Sequence, residues 1–219
     1  MGTDVEREKQ LAAEAAAALV EDGMTVGLGT GTTAGYFLTA LAARRLGLLC
    51  VASSPATEIA ALALGLPLES FHDPAALTRL DLAVDGADQV AADGWVVKGG
   101  GGAHTREKVV AAAADRFVVI VSSDKLVERV AAPVPLELMA FGLGATLARL
   151  EHAWLREAPA TPDGGVLADW LGPVDDPAEL AARLSATPGV VEHGLFAPVL
   201  VSEVLVGRGS SVERMSYGA

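Results

Sequence analysis

The chain has 219 residues, a formal net charge of −12 and a single cysteine, with 51% apolar and 5% aromatic residues. That composition belongs to a folded protein with a substantial core, built as one large domain or as a large and a small one. It argues against a nucleic-acid surface, which needs a basic stripe, and against a membrane span, because no run approaches the ~20 apolar residues required.

In chain order, residues 4–22 place Leu11, Ala15, Ala18 and Leu19 on one helical face, and Gly23 reads as the cap that closes this helix. A strand is expected at 24–28, running into Gly29-Thr30-Gly31-Thr32-Thr33, and a helix at 34–46. A second strand, 48–52, ends on Ser53-Ser54-Pro55-Ala56-Thr57 and is followed by a helix at 58–64. An extended piece at 66–69 and a helical turn at 74–78 come next. Leu82-Ala83-Val84 then stops on Asp85-Gly86-Ala87-Asp88, and Trp95-Val96-Val97 stops on Lys98 and four glycines. A helix at 106–114 precedes the strongest strand, Phe117–Val121, which ends in Ser122-Ser123-Asp124-Lys125. The lone Cys50 lies in an apolar run, which predicts a buried thiol in a reducing compartment. The charged first ten residues lack the apolar core of a signal peptide, so a cytoplasmic protein is expected.

The repeated order of strand, polar or Gly-rich loop and helix predicts a Rossmann-like, mainly parallel sheet with helices on both faces. Ligands bind such sheets at the carboxyl ends of the strands. The loops at Thr30, Ser53, Asp85, Lys98 and Lys125 all follow strand candidates and are expected along one edge. From Pro133 the order becomes strand 134–138, helix 141–150, strands 153–156 and 166–171, helix 177–185 and strand 190–196. That βαββαβ order is ferredoxin-like and predicts a smaller α+β domain. The expected division is 1–132 with 198–219 for the large domain, to whose sheet 199–207 returns, and 133–197 for the small one.

Several motifs carry chemistry. The spacing of Gly27, Gly29 and Gly31 does not fit the dinucleotide fingerprint, and the P-loop lysine is missing. Small and hydroxylated residues at a helix start can bind phosphate through amides and the helix dipole; a tight strand-to-helix turn is the alternative. Asp85 to Asp88 taken alone reads as a turn with Asp88 capping a helix. The Lys98 glycine run reads alone as a flexible loop, although here a helix start with Glu107 in its first turn follows. Acids are common in first turns for dipole reasons, and His104 reads as a packing or loop residue. No His or Cys spacing resembles a metal site. Together, two carboxylates, a lysine and an acid at a helix mouth beside amide-rich backbone suit proton transfer next to a developing oxyanion.

The segments GLGTGTTA, SSPAT, DLAVDGADQV, VVKGGGGAHTREK, VIVSSDK, PVPLEL and PGVVEHGLF resemble type A ribose-5-phosphate isomerases in order and spacing, over nearly the whole chain. The resemblance implies interconversion of ribose 5-phosphate and ribulose 5-phosphate without metal or organic cofactor, by a homodimer or homotetramer. By matching position it makes Glu107 the base between C2 and C1, and makes Lys98 with the amides of Gly99, Gly100 and Gly101 the enediolate stabilisers. It gives Asp85 the hydroxyl proton and ring opening, with Gly86, Ala87 and Asp88 supporting sugar binding. Thr30, Gly31, Thr32, Thr33 and Lys125 would hold the phosphate, with Lys9 as a further candidate. Gln89, Gly102, His104 and the Asp163-Gly164-Gly165 turn depart from the family's usual residues, outside the proton-transfer set. Other classes compatible with this fold are a sugar-phosphate effector domain, which would not need the Asp85 and Lys98 pair, and a deaminase or acyl-CoA transferase, with different catalytic loops.

Overall fold

A computed structural model describes residues 2–73 and 77–217, so the helical turn expected at 74–78 falls for the most part outside the described residues. In chain order the elements are α1 (Gly2–Ala17), β1 (Thr25–Leu28), α2 (Thr32–Ala43), β2 (Leu49–Ala52), α3 (Pro55–Ala63), β3 (Leu82–Asp85), β4 (Gln89–Ala91) and β5 (Val96–Val97). They continue with α4 (His104–Ala113), β6 (Phe117–Ser122), β7 (Leu126–Val127), β8 (Val134–Leu138), α5 (Leu143–Leu150), β9 (Ala153–Leu155) and β10 (Val166–Trp170). The last are α6 (Pro177–Ser185), β11 (Val190–His193), β12 (Leu195–Phe196), β13 (Glu203–Arg208) and β14 (Ser211–Ser216). Two compact units result, one of 1–87, 106–126 and 198–219, the other of 88–105 and 127–197.

The first unit is built on a sheet of order β14-β13-β6-β3-β1-β2, parallel throughout except for β14. Alternation along the strands sends Val26, Leu28, Leu82, Val84, Val118 and Ile120 into one core with Ala12, Ala16, Phe37 and Leu41 from α1 and α2. On the other face a Cβ at Gly27 would lie 2.4 Å from Val110 Cγ1, so α4 lies against the sheet there. Helices thus cover both faces. The chain between α1 and β1 differs from expectation. The helix ends at Ala17, because the Arg44 guanidinium donates to the carbonyls of Ala17 and Val20 and so satisfies groups a helix end leaves open. Gly23 instead takes a left-handed φ of 86° in the turn to β1.

The second unit contains the βαββαβ series as an antiparallel sheet of order β11-β8-β10-β9, the ferredoxin-like arrangement. Its core gathers Leu136, Leu138, Leu150, Ala168, Trp170, Leu180 and Leu184. Asp176 starts α6 by accepting from the N–H groups of Ala178 and Glu179, with Pro177 at the first helical position. A small sheet of order β12-β5-β4-β7 completes the unit.

That small sheet corrects two expectations. β5 does not join the parallel sheet; it pairs antiparallel with β4 through the Asp93-Gly94 hairpin, a connection too short for a parallel crossover. The Lys98 loop therefore leaves the small sheet, and four of the five expected loops share the large one. The strand expected at 190–196 breaks at Gly194, after which Leu195 and Phe196 pair with β5. The compact units accordingly differ from the expected domains, since 88–105 and 127–132 pack with the second unit. β14, an exposed antiparallel edge strand, was not anticipated.

Candidate active site

In the first unit the parallel strands run in the order β2-β1-β3-β6-β13, so loops after β1 and β3 diverge at a topological switch point, the usual ligand crevice of such sheets. Asp85 ends β3 there. It is 3% exposed, and its Oδ1 accepts from the N–H of Thr30 at 3.0 Å and of Gly86 at 2.7 Å. Gly29 makes this possible, because a Cβ there would lie 2.1 Å from Asp85 Oδ1. The Thr30 hydroxyl sits among those of Ser53 (2.9 Å), Ser54 (2.9 Å) and Thr57 (3.1 Å), and Thr57 Oγ1 donates to the Gly29 carbonyl at 2.9 Å. The loop is thus held from two sides. Beyond it Gly31, at φ 110°, opens α2 with no side-chain cap and no acid in the first turn, leaving Thr32 and Thr33 at a helix N-terminus suited to an anion.

Along the same sheet edge, β6 runs into the short turn Ser123–Lys125. The buried carboxylate of Glu8 fixes it, accepting from Ser123 N–H (2.9 Å), Ser123 Oγ (2.7 Å) and Gly209 N–H (2.7 Å). These donors, Gly209 first, hold its pKa below the usual carboxylate value. Lys125 stays about a third exposed, its Nζ 3.6 Å from Asp124 Oδ2. Lys9 is engaged by Glu6 at 2.7 Å, and Glu6 also accepts from the Tyr36 hydroxyl of α2 at 2.8 Å. Glu107 lies in the first turn of α4 at 6% exposure. Cys50 is fully buried, and burial pushes its thiol pKa up to about 11, which suits a packing role.

The second unit carries Asp88, Lys98 and the glycine loop. Lys98 is 3% exposed, its N–H donates to the Gly194 carbonyl at 2.9 Å, and its Nζ lies 5.5 Å from the centre of the Phe196 ring. Gly194 has to be glycine, since a Cβ there would lie 2.2 Å from the Lys98 carbonyl oxygen. Asp88 caps no helix; its Oδ2 accepts from Gly100 N–H at 2.8 Å. Gly99, at φ 101°, has no room for a Cβ beside the fully buried His104. A buried Glu137 accepts from the hydroxyls of Thr105 and Thr161, the latter at 2.6 Å. Arg156 donates to the carbonyls of Gly99 and Gly100. Sequence reading missed Glu8, Glu137, Arg156 and Thr57. Only Thr57 had a signal, its place in the SSPAT segment.

A doubly wound sheet with a buried acid, Asp85, and an uncapped helix start at its switch point defines a class: an α/β protein equipped to bind a small anionic ligand. The family model for ribose 5-phosphate isomerase A (phosphoriboisomerase A) matches residues 49–211, and the chain belongs to that family. A ribose-5-phosphate isomerase A of Methylorubrum extorquens is 44% identical over 90% of this chain and 91% of its own. The solved ribose 5-phosphate isomerase A of Methanocaldococcus jannaschii superposes with a TM-score of 0.88 at 32% identity, covering 95% of this chain and 97% of its own. A D-ribose-5-phosphate isomerase in complex with phospho-erythronic acid superposes with a TM-score of 0.89 at 31% identity, covering 97% of this chain and 99% of its own.

Proposed function

We propose that this chain interconverts D-ribose 5-phosphate and D-ribulose 5-phosphate through an enediolate, with Glu107 moving a proton between C2 and C1. One observation carries this mechanism: Glu107, Asp85 and Lys98 are each at most 6% exposed. Acids and amines are rarely buried so deeply unless they are paired or perform chemistry.

A hydrogen beside a carbonyl is too weakly acidic for a carboxylate to remove unless the oxyanion that forms is stabilised as it develops. Lys98 and the amides beginning at Gly99 supply that stabilisation, and Asp85 handles the hydroxyl proton and helps open the sugar ring. Gly86, Ala87 and Asp88 support sugar binding, and Thr30 to Thr33 with Lys125 hold the phosphate. Lys9, already paired with Glu6, is assigned an indirect contribution through the α1–α2 contact. Lys98 takes the electrophile's part, so the mechanism calls on no metal ion.

A homodimer or homotetramer and a cytoplasmic location accompany this reading. Large apolar side chains left exposed in the second unit, among them Phe141 and Trp154, support self-association, which light scattering on the purified protein tests. Among the described residues no helix is long and apolar enough to cross a membrane.

The chemical step is tested by supplying ribose 5-phosphate to the purified protein in heavy water. Proton transfer through a carboxylate places solvent deuterium on C1 of the ribulose 5-phosphate. Failure to isomerise contradicts the proposal, and the share of deuterium at C1 reports how far the proton on Glu107 exchanges with solvent before it returns.

A further inference from the structure

Arg156 follows β9, and its side chain reaches back 56 residues to the glycine loop. Its Nη1 donates to the Gly99 carbonyl at 3.0 Å and to the Gly100 carbonyl at 3.1 Å. Its Nε and Nη2 donate to the two oxygens of Asp169 on β10, at 2.8 and 2.5 Å. The pair is bidentate and mostly buried, with side chains 18% and 23% exposed.

We propose that Arg156, held by Asp169, is a positioning residue for catalysis, aiming the Gly101 amide of the glycine loop at the enediolate oxygen. This rests on the assignment of that loop as the oxyanion donor. A trans peptide carries its C=O and N–H on opposite sides of the chain. The Gly99 carbonyl shares a peptide with the Gly100 N–H, and the Gly100 carbonyl shares one with the Gly101 N–H. One nitrogen gripping both carbonyls therefore turns both N–H groups to the far side of the loop. The Gly100 N–H is found there, donating to Asp88 at 2.8 Å. With the Gly100 N–H held by Asp88, the Gly101 N–H is the donor left for substrate, at an exposed position where an added Cβ would meet nothing within 4 Å. A cation on the carbonyl side also polarises each peptide and strengthens its N–H as a donor. Lysine cannot replace this grip, because it lacks the planar fork that serves Asp169 and the carbonyls together.

The test compares Arg156→Lys and Asp169→Asn with the parent enzyme on ribose 5-phosphate, beside Lys98→Ala. Two non-reacting ligands are titrated: 4-phosphoerythronate, which brings a negative oxygen to the reacting end, and ribitol 5-phosphate, which does not. Arg156→Lys is expected to lower kcat about tenfold with KM within about twofold, because a misaimed donor is felt where charge develops. Affinity for 4-phosphoerythronate should fall about as much as kcat, while that for ribitol 5-phosphate holds; Asp169→Asn shifts the same way, by less. Unchanged kcat and 4-phosphoerythronate affinity in both variants, with turnover lost in Lys98→Ala, overturns the role of Arg156 and leaves the oxyanion assignment standing. Equal loss of both ligands marks a general distortion and also overturns it. If Lys98→Ala turns over normally, the oxyanion assignment itself fails and the proposal falls with it. Should Arg156→Lys not fold, Asp169→Asn decides by the same two affinities.

Discussion

Lys98 is an unusual residue to find at 3% exposure, since an ammonium removed from water loses several kcal/mol of solvation. Its backbone is fixed against Gly194 and its head lies over the Phe196 ring, so the fold holds the charge in a defined place. On the proposed mechanism Lys98→Ala removes an oxyanion partner, and turnover should fall by ~10²-fold or more. Steady-state rates within a few-fold of the parent would contradict the assignment. Lys125 is a different case, partly exposed and set on a turn. If it holds the phosphate, Lys125→Ala should lower kcat/KM for ribose 5-phosphate about tenfold, the worth of one charged hydrogen bond, and leave free ribose unaffected. An equal loss on both sugars would place Lys125 elsewhere in the mechanism.

Among the elements, α1 packs its backbone directly against the sheet. A Cβ at Gly207 on β13 would lie 1.9 Å from the Glu8 carbonyl oxygen, against backbone that cannot yield as a side chain can. Gly207→Ala should therefore destabilise the protein by about 3 kcal/mol, read as an earlier midpoint in urea; an unchanged midpoint would show that α1 is free to shift. The strands and helices were legible because their apolar periods and their Gly, Pro and Ser stops are local. The Lys98 loop was misplaced for an instructive reason. An apolar run ending on a lysine does not reveal whether its partner is parallel, although Asp93-Gly94 between Val90 and Trp95 was a hairpin signal in plain view. Glu8 and Arg156 had no such signal. Glu8 looks like any solvent-facing acid on a helix, and both contacts join residues far apart in sequence.

At the scale of the whole chain, carboxylates held below their ordinary range set the response to acid, and among the described residues these are Glu6, Glu8, Asp81 and Asp124. Glu8 is held below the usual range by Gly209 and Ser123, and Asp81 by the N–H and hydroxyl of Thr25. Groups whose folded pKa is lowered contribute stability that is complete above the ordinary carboxylate range and is lost as pH falls through their folded values. The melting temperature should therefore drop below about pH 4. Glu8→Gln should lower it at neutral pH, by about 2 kcal/mol in stability, with the gap to the parent closing in acid; a gap constant down to about pH 3 would rule out this origin. The central claim remains that a family isomerase runs here on the carboxylate of Glu107. The most direct measurement is turnover of ribose 5-phosphate by Glu107→Gln, alongside its affinity for ribitol 5-phosphate. The substitution keeps shape and hydrogen bonding but removes the base, so turnover should fall ~10²-fold or more while binding holds. Near-parental turnover in that variant would contradict the mechanism.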